Sequence, residues 1–559
     1  MDDETRVEWR EWGPVAFAEA AETERPLLLS LSATWCAGCH EMDAETYAEP
    51  RIAANVNDDF VPVRIDVDRH PRVRERYNVG GFPSTVFATP SGAILSGAGY
   101  LGPDGMRQVL DSVREAWAER GADGGRVPRA LADEPTPAGD LSPAVEAYLA
   151  GQLGEKYDDV HAGWGDDAKF PLPRTVEFAL KRERNQALRT LDAVRDHLFD
   201  DVSGGFFRYA SGRDWSGVHH EKLLDTNAAL VRTFADAYLY TGDDAYRRPA
   251  KRTIDFLTDD LWTGVAVGGS VGPAAGSDYY ALSADERAEA RQPRVDLTAY
   301  AGGNALAAEA MLTYAGYTDD ADAERYAERV LDFLETDLVD DEGAVTHYRA
   351  GDDVGERLLL GDHARVVGAF ARAQQVLGEG LGVAEAVADR AIAELHDRGS
   401  FLDGPGEGPG LLDRPFRPLD DNVEMAGALC DLAVLSGNPK YREVARETVE
   451  AFAGAADRIG VQAADYGAVA ARLCRDPLVV AVADDPGSDL HRAALRVADH
   501  EKIVVPDADA LFDGRDGVDA YLDRGTAAVL VGETVLSAST PEELMAQVSA
   551  ATSRLGRNN

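Results

Sequence analysis

The apolar run Pro26-Leu-Leu-Leu-Ser-Leu-Ser-Ala33 has the length of a strand, and Cys36-Ala-Gly-Cys39 follows it almost directly. Two cysteines at this spacing, where a strand gives way to a turn, restrict the chain more than any other feature. The spacing suits a redox dithiol, half of a zinc site or, read with His40, covalent haem attachment. The flanking pattern separates these readings. Amphipathic spacing through Met42, Tyr47, Ile52 and Val56 predicts helix, and residues 61–67 alternate as a strand. Pro71 suits the first position of a short helix. Residues 80–100 read as strand, Ser-Gly turn and strand, and a last helix runs from near Pro103 to about Arg120.

The order β-α-β-α-β-β-α, with the dithiol at a strand-to-helix turn, is the thioredoxin arrangement. A cysteine at a helix N-terminus meets free N–H groups and partial positive charge, which favour its thiolate. Cys36 is thus expected to act as nucleophile and Cys39 to resolve the mixed disulfide. Pro83, in Gly-Gly-Phe-Pro, stands where thioredoxin-like proteins place a cis-proline beside the dithiol. Covalent haem needs an oxidising compartment and a distant ligand, and zinc needs a second ligand pair, for which His70 is a lone candidate. The expectation is therefore a redox dithiol with no metal and no cofactor. His40 reads either as a group that raises thiolate character or as a solvated helix residue. Ser30 occupies the strand position, six residues before Cys36, where thioredoxins carry a buried acid. Cys430 and Cys474 lie in helical apolar patterns and read as inert core thiols.

Length bounds the rest. A chain of 559 residues with 45% hydrophobic residues forms several globular cores. Acids outnumber bases 99 to 56, giving a net charge of -43, and only seven of the basic residues are lysine. Acidity spread over the whole chain with scarce lysine reads as adaptation to high salt, where screening moderates self-repulsion. No basic stripe is present to neutralise phosphates, so nucleic acid is not an expected partner. The N-terminal residues are acidic and lack an apolar core, and no run of 18 apolar residues occurs; the expectation is a cytoplasmic protein without a membrane partner.

Residues 121–140 are rich in Gly, Pro and Ala without periodicity and read as a linker. From 141 to 474 the pattern becomes helical and repeats: helix, Gly or Asp turn, second helix opening near a tyrosine. Glycines 242, 316 and 437, with a degenerate copy at Leu377-Gly378, anchor the repeat. Eleven or twelve helices predict an (α/α)6 toroid, with an open solenoid as the alternative. Residues 475–559 read as a small α/β domain capping the toroid. The fold class is thus multidomain α/β plus all-α.

Loops entering alternate helices carry an unusual polar load. In a toroid these helix ends converge on the axis. His219, Glu221, Asp296, Asp362, His363, Asp420 and Glu424 are expected to line one cavity there. Lys222 and Arg365 would offset the carboxylates, and Trp215 and Tyr300 would supply flat faces for a sugar ring. Helix capping and core packing are the plainer readings of each residue.

Residues 162–173, 203–215, 219–230 and 296–300, downstream of a dithiol domain, resemble the YyaL and spermatogenesis-associated thioredoxin-like proteins over nearly the whole chain. The resemblance implies a thioredoxin domain plus an (α/α)6 barrel similar to N-acylglucosamine 2-epimerases and six-hairpin glycosidases. By position it carries over Cys36, Cys39, His40, Met42 and Pro83, then Lys169, Phe170 and Pro171. Further along it carries over Gly205, Arg208, Trp215, His219, Glu221, Lys222, Asn227, Asp296, Asp362 and Ala364. This chain departs from the pattern with Ala-Gly between the cysteines, with Asp225-Thr226, and with Tyr300 and Gly303-Asn304. The implied functions are thiol–disulfide oxidoreductase with a barrel binding carbohydrate or client, sugar-active enzyme under redox control, or binding protein without turnover. The implied partners are a disulfide-bearing protein or small-molecule thiol, and a carbohydrate.

Overall fold

A computed structural model describes residues 5–273, 279–508 and 522–558. The N-terminal domain is built on five strands: β1 (Arg10–Glu11), β2 (Leu27–Ser32), β3 (Val61–Asp66), β4 (Ser84–Ala88) and β5 (Ile94–Ala98). They lie in the order β1-β3-β2-β4-β5. β2 is parallel to β3 and antiparallel to β4, and β5 is antiparallel to β4. β2 is central and buried along its whole length, which explains its uninterrupted apolar run. The sequence pattern missed two elements, the short β1 and the helix Pro14–Glu22. Pro71 and Pro103 each open a helix, at Pro71–Tyr77 and Pro103–Arg120.

Six helices form the inner wall of a closed ring: Pro173–Arg182, Leu224–Thr241, Ala301–Thr318, Leu360–Leu377, Leu419–Leu435 and Asp465–Cys474. Each packs on the next and the last packs on the first, so the solenoid alternative is set aside. Each inner helix also packs on one outer helix, and the sixth pair joins the two ends of the barrel, Ala144–Lys156 with Asp465–Cys474. Asp243, Asp320 and Asn438 cap outer helices by accepting a main-chain N–H two or three residues on. Gly242 and Gly378 end inner helices with φ of 67° and 78°. Gly316 does not play this part: its helix runs on to Thr318, and Asp319 takes the left-handed position.

Four inner helices carry the same buried bracket at their fourth residue. Asn227, Asn304 and Asn422 each accept from a main-chain N–H of the preceding return loop, at 2.6–2.8 Å. Each also donates to that loop residue's carbonyl and to the carbonyl four residues back. His363 stands at the matching position. Its Nδ1 lies 2.9 Å from the Leu359 carbonyl and its Nε2 accepts from Val345 N at 3.3 Å. The Val345 carbonyl, which an asparagine would have served, is taken by Leu358 N.

The C-terminal sheet, strands Val479–Ala483, Ile503–Val505, Thr526–Val531 and Thr534–Ala538, covers the C-terminal ends of the inner helices. His491 Nε2 and Val504 N both bind Gln375 of an inner helix, at its main-chain oxygen and its Oε1 respectively. Residues 121–140 are not a free tether. Arg126 pairs with Ile94 at the edge of the N-terminal sheet, and Gly139 N donates to Glu450 O. No described helix is long and apolar enough to cross a membrane.

Candidate active site: a dithiol face closed onto the barrel mouth

Cys36 and Cys39 are joined in a disulfide at the start of the helix Ala37–Glu41. Cys36 is the N-cap, and its sulfur accepts from Cys39 N at 3.1 Å. The Phe82–Pro83 peptide is cis, and Pro83 faces the turn closely: a Cβ on Gly38 would lie 3.0 Å from Pro83 Cδ. A side chain in place of Gly38 would thus press on the Pro83 ring. Both cysteines are only 4% exposed. His40 is half-buried, and its ring nitrogens are engaged away from the sulfurs. Its Nε2 lies 2.8 Å from the Thr34 carbonyl, and its Nδ1 lies 3.1 Å from Nη1 of Arg294, a barrel residue.

Both cysteines belong to the core of the N-terminal domain, and the barrel packs against the same face. The helix Pro71–Tyr77 docks on the barrel loop 403–414. Arg76, with a fully buried side chain, pairs with Asp403 at 2.5 Å and donates to the carbonyls of Leu411 and Arg414. Leu411 and Leu412 pack into the core of the N-terminal domain. On the other side a Cβ at Gly272 would stand 3.0 Å from Thr34 O, so barrel backbone crosses directly over the residues before Cys36.

Between the two bodies lies a cavity of about 650 Å³. Trp35 and Phe82, which flank Cys36 and Pro83 in sequence, form one wall together with Asp68. Arg174, Arg208, Tyr300, Asp362 and Arg365 are among the barrel residues opposite. Arg208 stacks over Trp35 at 4.3 Å, held from behind by Glu221 at 3.1 Å. Arg365 pairs with Asp225 at 2.7 Å and with Glu424 at 3.3 Å, and Glu424 also pairs with Arg174. Burial pushes the Asp421 carboxyl up to about 6, against the opposing pull of Arg365; Asp420 beside it is shifted in the same direction but is exposed. On the barrel side of the cavity, Asp421 is thus held towards its protonated form.

A buried carboxylate does stand beside the dithiol turn, although Ser30 replaces the one expected in β2. Asp68, from the loop after β3, accepts from Trp35 Nε1 at 2.7 Å. Burial and neighbouring Asp66 push it up to about 7. The Asp68 carbonyl lies 2.8 Å from His347 Nε2.

The expected pocket residues therefore divide. Tyr300, Asp362, Arg365, Asp420 and Glu424 line the cavity. Asp296 stands behind Tyr300, whose hydroxyl donates to it at 3.1 Å, and Glu221 stands behind Arg208. The other five lie elsewhere. Asn227 and His363 are the helix brackets described above. Lys222 is buried in an ion pair with Asp200 at 2.8 Å and lies 4.6 Å from the Phe256 ring. Trp215, at φ 65°, packs on His197 and donates to His161 O. His219 stacks on Tyr209 at 4.1 Å with a side chain 43% exposed. Sequence reasoning did not single out Arg174, Asp225, His347 or Asp421 for the pocket. Asp225 and Asp421 sit in helix first turns, where capping explains an acid, and nothing local marks Arg174 or His347. Of the two remaining cysteines, Cys430 is buried, with its thiol pushed up by burial, and Cys474 is partly exposed.

Fold and site together define a thioredoxin-like dithiol domain seated on the mouth of an (α/α)6 toroid. Through its N-terminal domain the chain belongs to the thioredoxin family: it is 33% identical to Drosophila melanogaster Thioredoxin-1 over 72% of that protein and 14% of this chain. Residues 1–132 also match the family described as Thioredox_DsbH: Protein of unknown function, DUF255. The chain is 30% identical to human Spermatogenesis-associated protein 20, over 46% of this chain and 37% of the relative. The match to that relative thus spans little more than a third of its length. These matches agree with the resemblance read from the sequence. Among solved structures, the barrel region is similar to a sugar epimerase from a ruminal bacterium, with a TM-score of 0.45 and 12% identity over 55% of this chain and 84% of that one. A family 76 glycoside hydrolase from a bovine Bacteroides thetaiotaomicron strain gives 0.44 and 13%, over 59% and 77%.

Proposed function

We propose that the protein is a thiol–disulfide oxidoreductase whose dithiol serves a small ligand held in the cavity between the two domains. The observation that carries this reading is the docking of the dithiol face onto the barrel mouth, with Trp35 and Phe82 in the wall of the shared cavity. A bulky client would have to displace the barrel to reach Cys36, whereas a small disulfide or thiol would need only to pass from the cavity along Trp35 and Phe82, the neighbours of Cys36 and Pro83. The guanidinium and carboxylate groups opposite suit a polyhydroxylated, carbohydrate-like body. In the reducing direction the Cys36 thiolate attacks one sulfur of the ligand disulfide, and one ligand thiolate leaves and takes a proton. The Cys39 thiolate then attacks Cys36 Sγ, releasing the second ligand thiol. Two electrons pass to the ligand, and an external dithiol restores the protein.

A second reading has its own support. Asp420 and Asp421, both held towards the protonated form beside Arg174 and Arg365, suit general acid work on a sugar, with the dithiol as regulator. One experiment separates the two. The full chain, in high salt, is incubated with small disulfides and separately with mono- and disaccharides. A mixed disulfide trapped at Cys36 in Cys39→Ser supports the first reading. Sugar turnover that survives Cys36→Ser and is lost in Asp421→Asn replaces it with the second.

A further inference from the structure

The toroid encloses a second cavity, about 210 Å³, deeper along its axis. Its wall comes from all six inner helices along much of their length, and its floor from residues 500–502 of the C-terminal domain. Arg174, Arg365, Glu424 and Asp465 line both cavities, which therefore adjoin. The carboxylates deep in this cavity are accounted for. Glu177 and Glu309 hold Arg232, each at 2.9 Å, and Asp431 pairs with Arg472. Glu501 binds Arg182 at 2.7 Å and Lys181 at 2.9 Å, and Asp236 receives the Tyr317 hydroxyl at 3.1 Å.

Two cations are left over. Arg372 makes no ion pair or hydrogen bond among the described residues, and its Nε is buried without an acceptor. Lys502, 5% exposed, meets the main-chain oxygen of Asp499 at 3.3 Å and lies 5.2 Å from the centre of the Tyr317 ring, but makes no ion pair among the described residues. Thr313, 2% exposed and in the same wall, has a hydroxyl with no partner. Burial, reinforced by the Arg372 charge, pushes the Lys502 ammonium down to about 7, outweighing the opposing pull of the Asp499 and Asp236 carboxylates, neither of which pairs with it directly. Charge enclosed without a partner is unfavourable, and the donors present are a guanidinium, an ammonium and a hydroxyl. We propose that this floor cavity binds a small inorganic oxyanion of the phosphate type, held by Arg372, Lys502 and Thr313. The site is separate from the ligand cavity beneath the dithiol and does not depend on its chemistry.

The test uses the full chain in potassium gluconate at fixed high ionic strength, titrated with phosphate or with bromide while the unfolding temperature is followed. Phosphate is expected to raise it saturably. The half-saturation point should move at least tenfold in Arg372→Gln and Lys502→Gln, and several-fold in Thr313→Val, which leaves every charge in place. Without phosphate, Arg372→Gln should unfold at or above the wild-type temperature, because an uncompensated charge has gone. A fall there would mean that Arg372 only offsets the carbonyl ends of the inner helices, and would overturn the site. So would a wild type without a saturable response, or variants that respond like it. A response to bromide but not to phosphate overturns the oxyanion assignment.

Discussion

The Nδ1 of His347 lies 2.7 Å from Oδ2 of Asp362. Its Nε2 meets the main-chain oxygen of Asp68 at 2.8 Å. Asp362 Oδ1 in turn accepts from Gly302 N at 3.0 Å, so one imidazole joins two inner helices of the barrel to the loop beside the dithiol. Asp362 raises the His347 pKa despite burial. A histidine raised in the folded state stabilises fully below its unfolded pKa of about 6.5 and loses that contribution as pH rises through the folded value.

Replacing His347 by Gln should therefore cost about 3 kcal/mol at pH 6, the order seen when one member of a buried pair is removed. The deficit should shrink progressively as pH is raised from 6.5 through 9. Denaturant unfolding of both proteins across that range measures it. A deficit independent of pH would mean that the imidazole is neutral throughout.

Asp68 gives the opposite partner to the same interface. Its carboxyl is pushed up to about 7, so it destabilises the fold increasingly as pH rises from about 4 to 7. Asp68→Asn keeps an acceptor for Trp35 Nε1 without the charge. It should match the wild type near pH 4 and exceed it by about 4 kcal/mol above pH 7.5, from the three-unit displacement. The difference in unfolding free energy between the two proteins, taken at each pH, decides this.

Reaction at Cys36 should depend on the size of the disulfide. With 4% exposure and barrel backbone over Thr34, a small aliphatic disulfide should oxidise the reduced protein much faster than a folded protein disulfide of equal potential. Loosening the dock with Arg76→Ala should narrow that gap at least tenfold, at a stability cost of about 3 kcal/mol, since Asp403 then keeps, among the described residues, only Arg72, at 3.5 Å. Stopped-flow fluorescence of Trp35 follows both reactions. Equal rates for the two disulfides in the wild type would show that the dock opens freely.

The helix brackets make a prediction about interchangeability. Asn422→Ala removes a side chain with three buried hydrogen bonds and should cost about 3 kcal/mol. His363→Ala should cost about 2 kcal/mol on the same grounds, whereas His363→Asn should cost less than about 1 kcal/mol, since asparagine serves this position in three other inner helices. Equal losses for the two His363 variants would show that the position depends on ring packing rather than on hydrogen bonding.

Local pattern was enough to read the strand-to-helix dithiol, the alternation of β3, the helical repeat and the C-terminal hairpin. Each is specified by residues close in sequence, through side-chain period, capping and turn chemistry. The brackets were readable in principle too, as Asn or His at the fourth helical position in each of four repeats. Function-bearing residue types at the mouths of alternate helices were legible only as a set. Lys222 and His363 carry the same chemistry as Arg365 and His347, and the sequence does not distinguish a side chain turned into the wall from one turned to the axis. That sorting follows from ring closure and from the docking of the N-terminal domain, through contacts such as Arg76 with Asp403, separated by 327 residues. Burial, and with it the raised Asp68 and the depressed Lys502, exists only once those distant surfaces meet, because desolvation is a property of the assembled interior rather than of any segment.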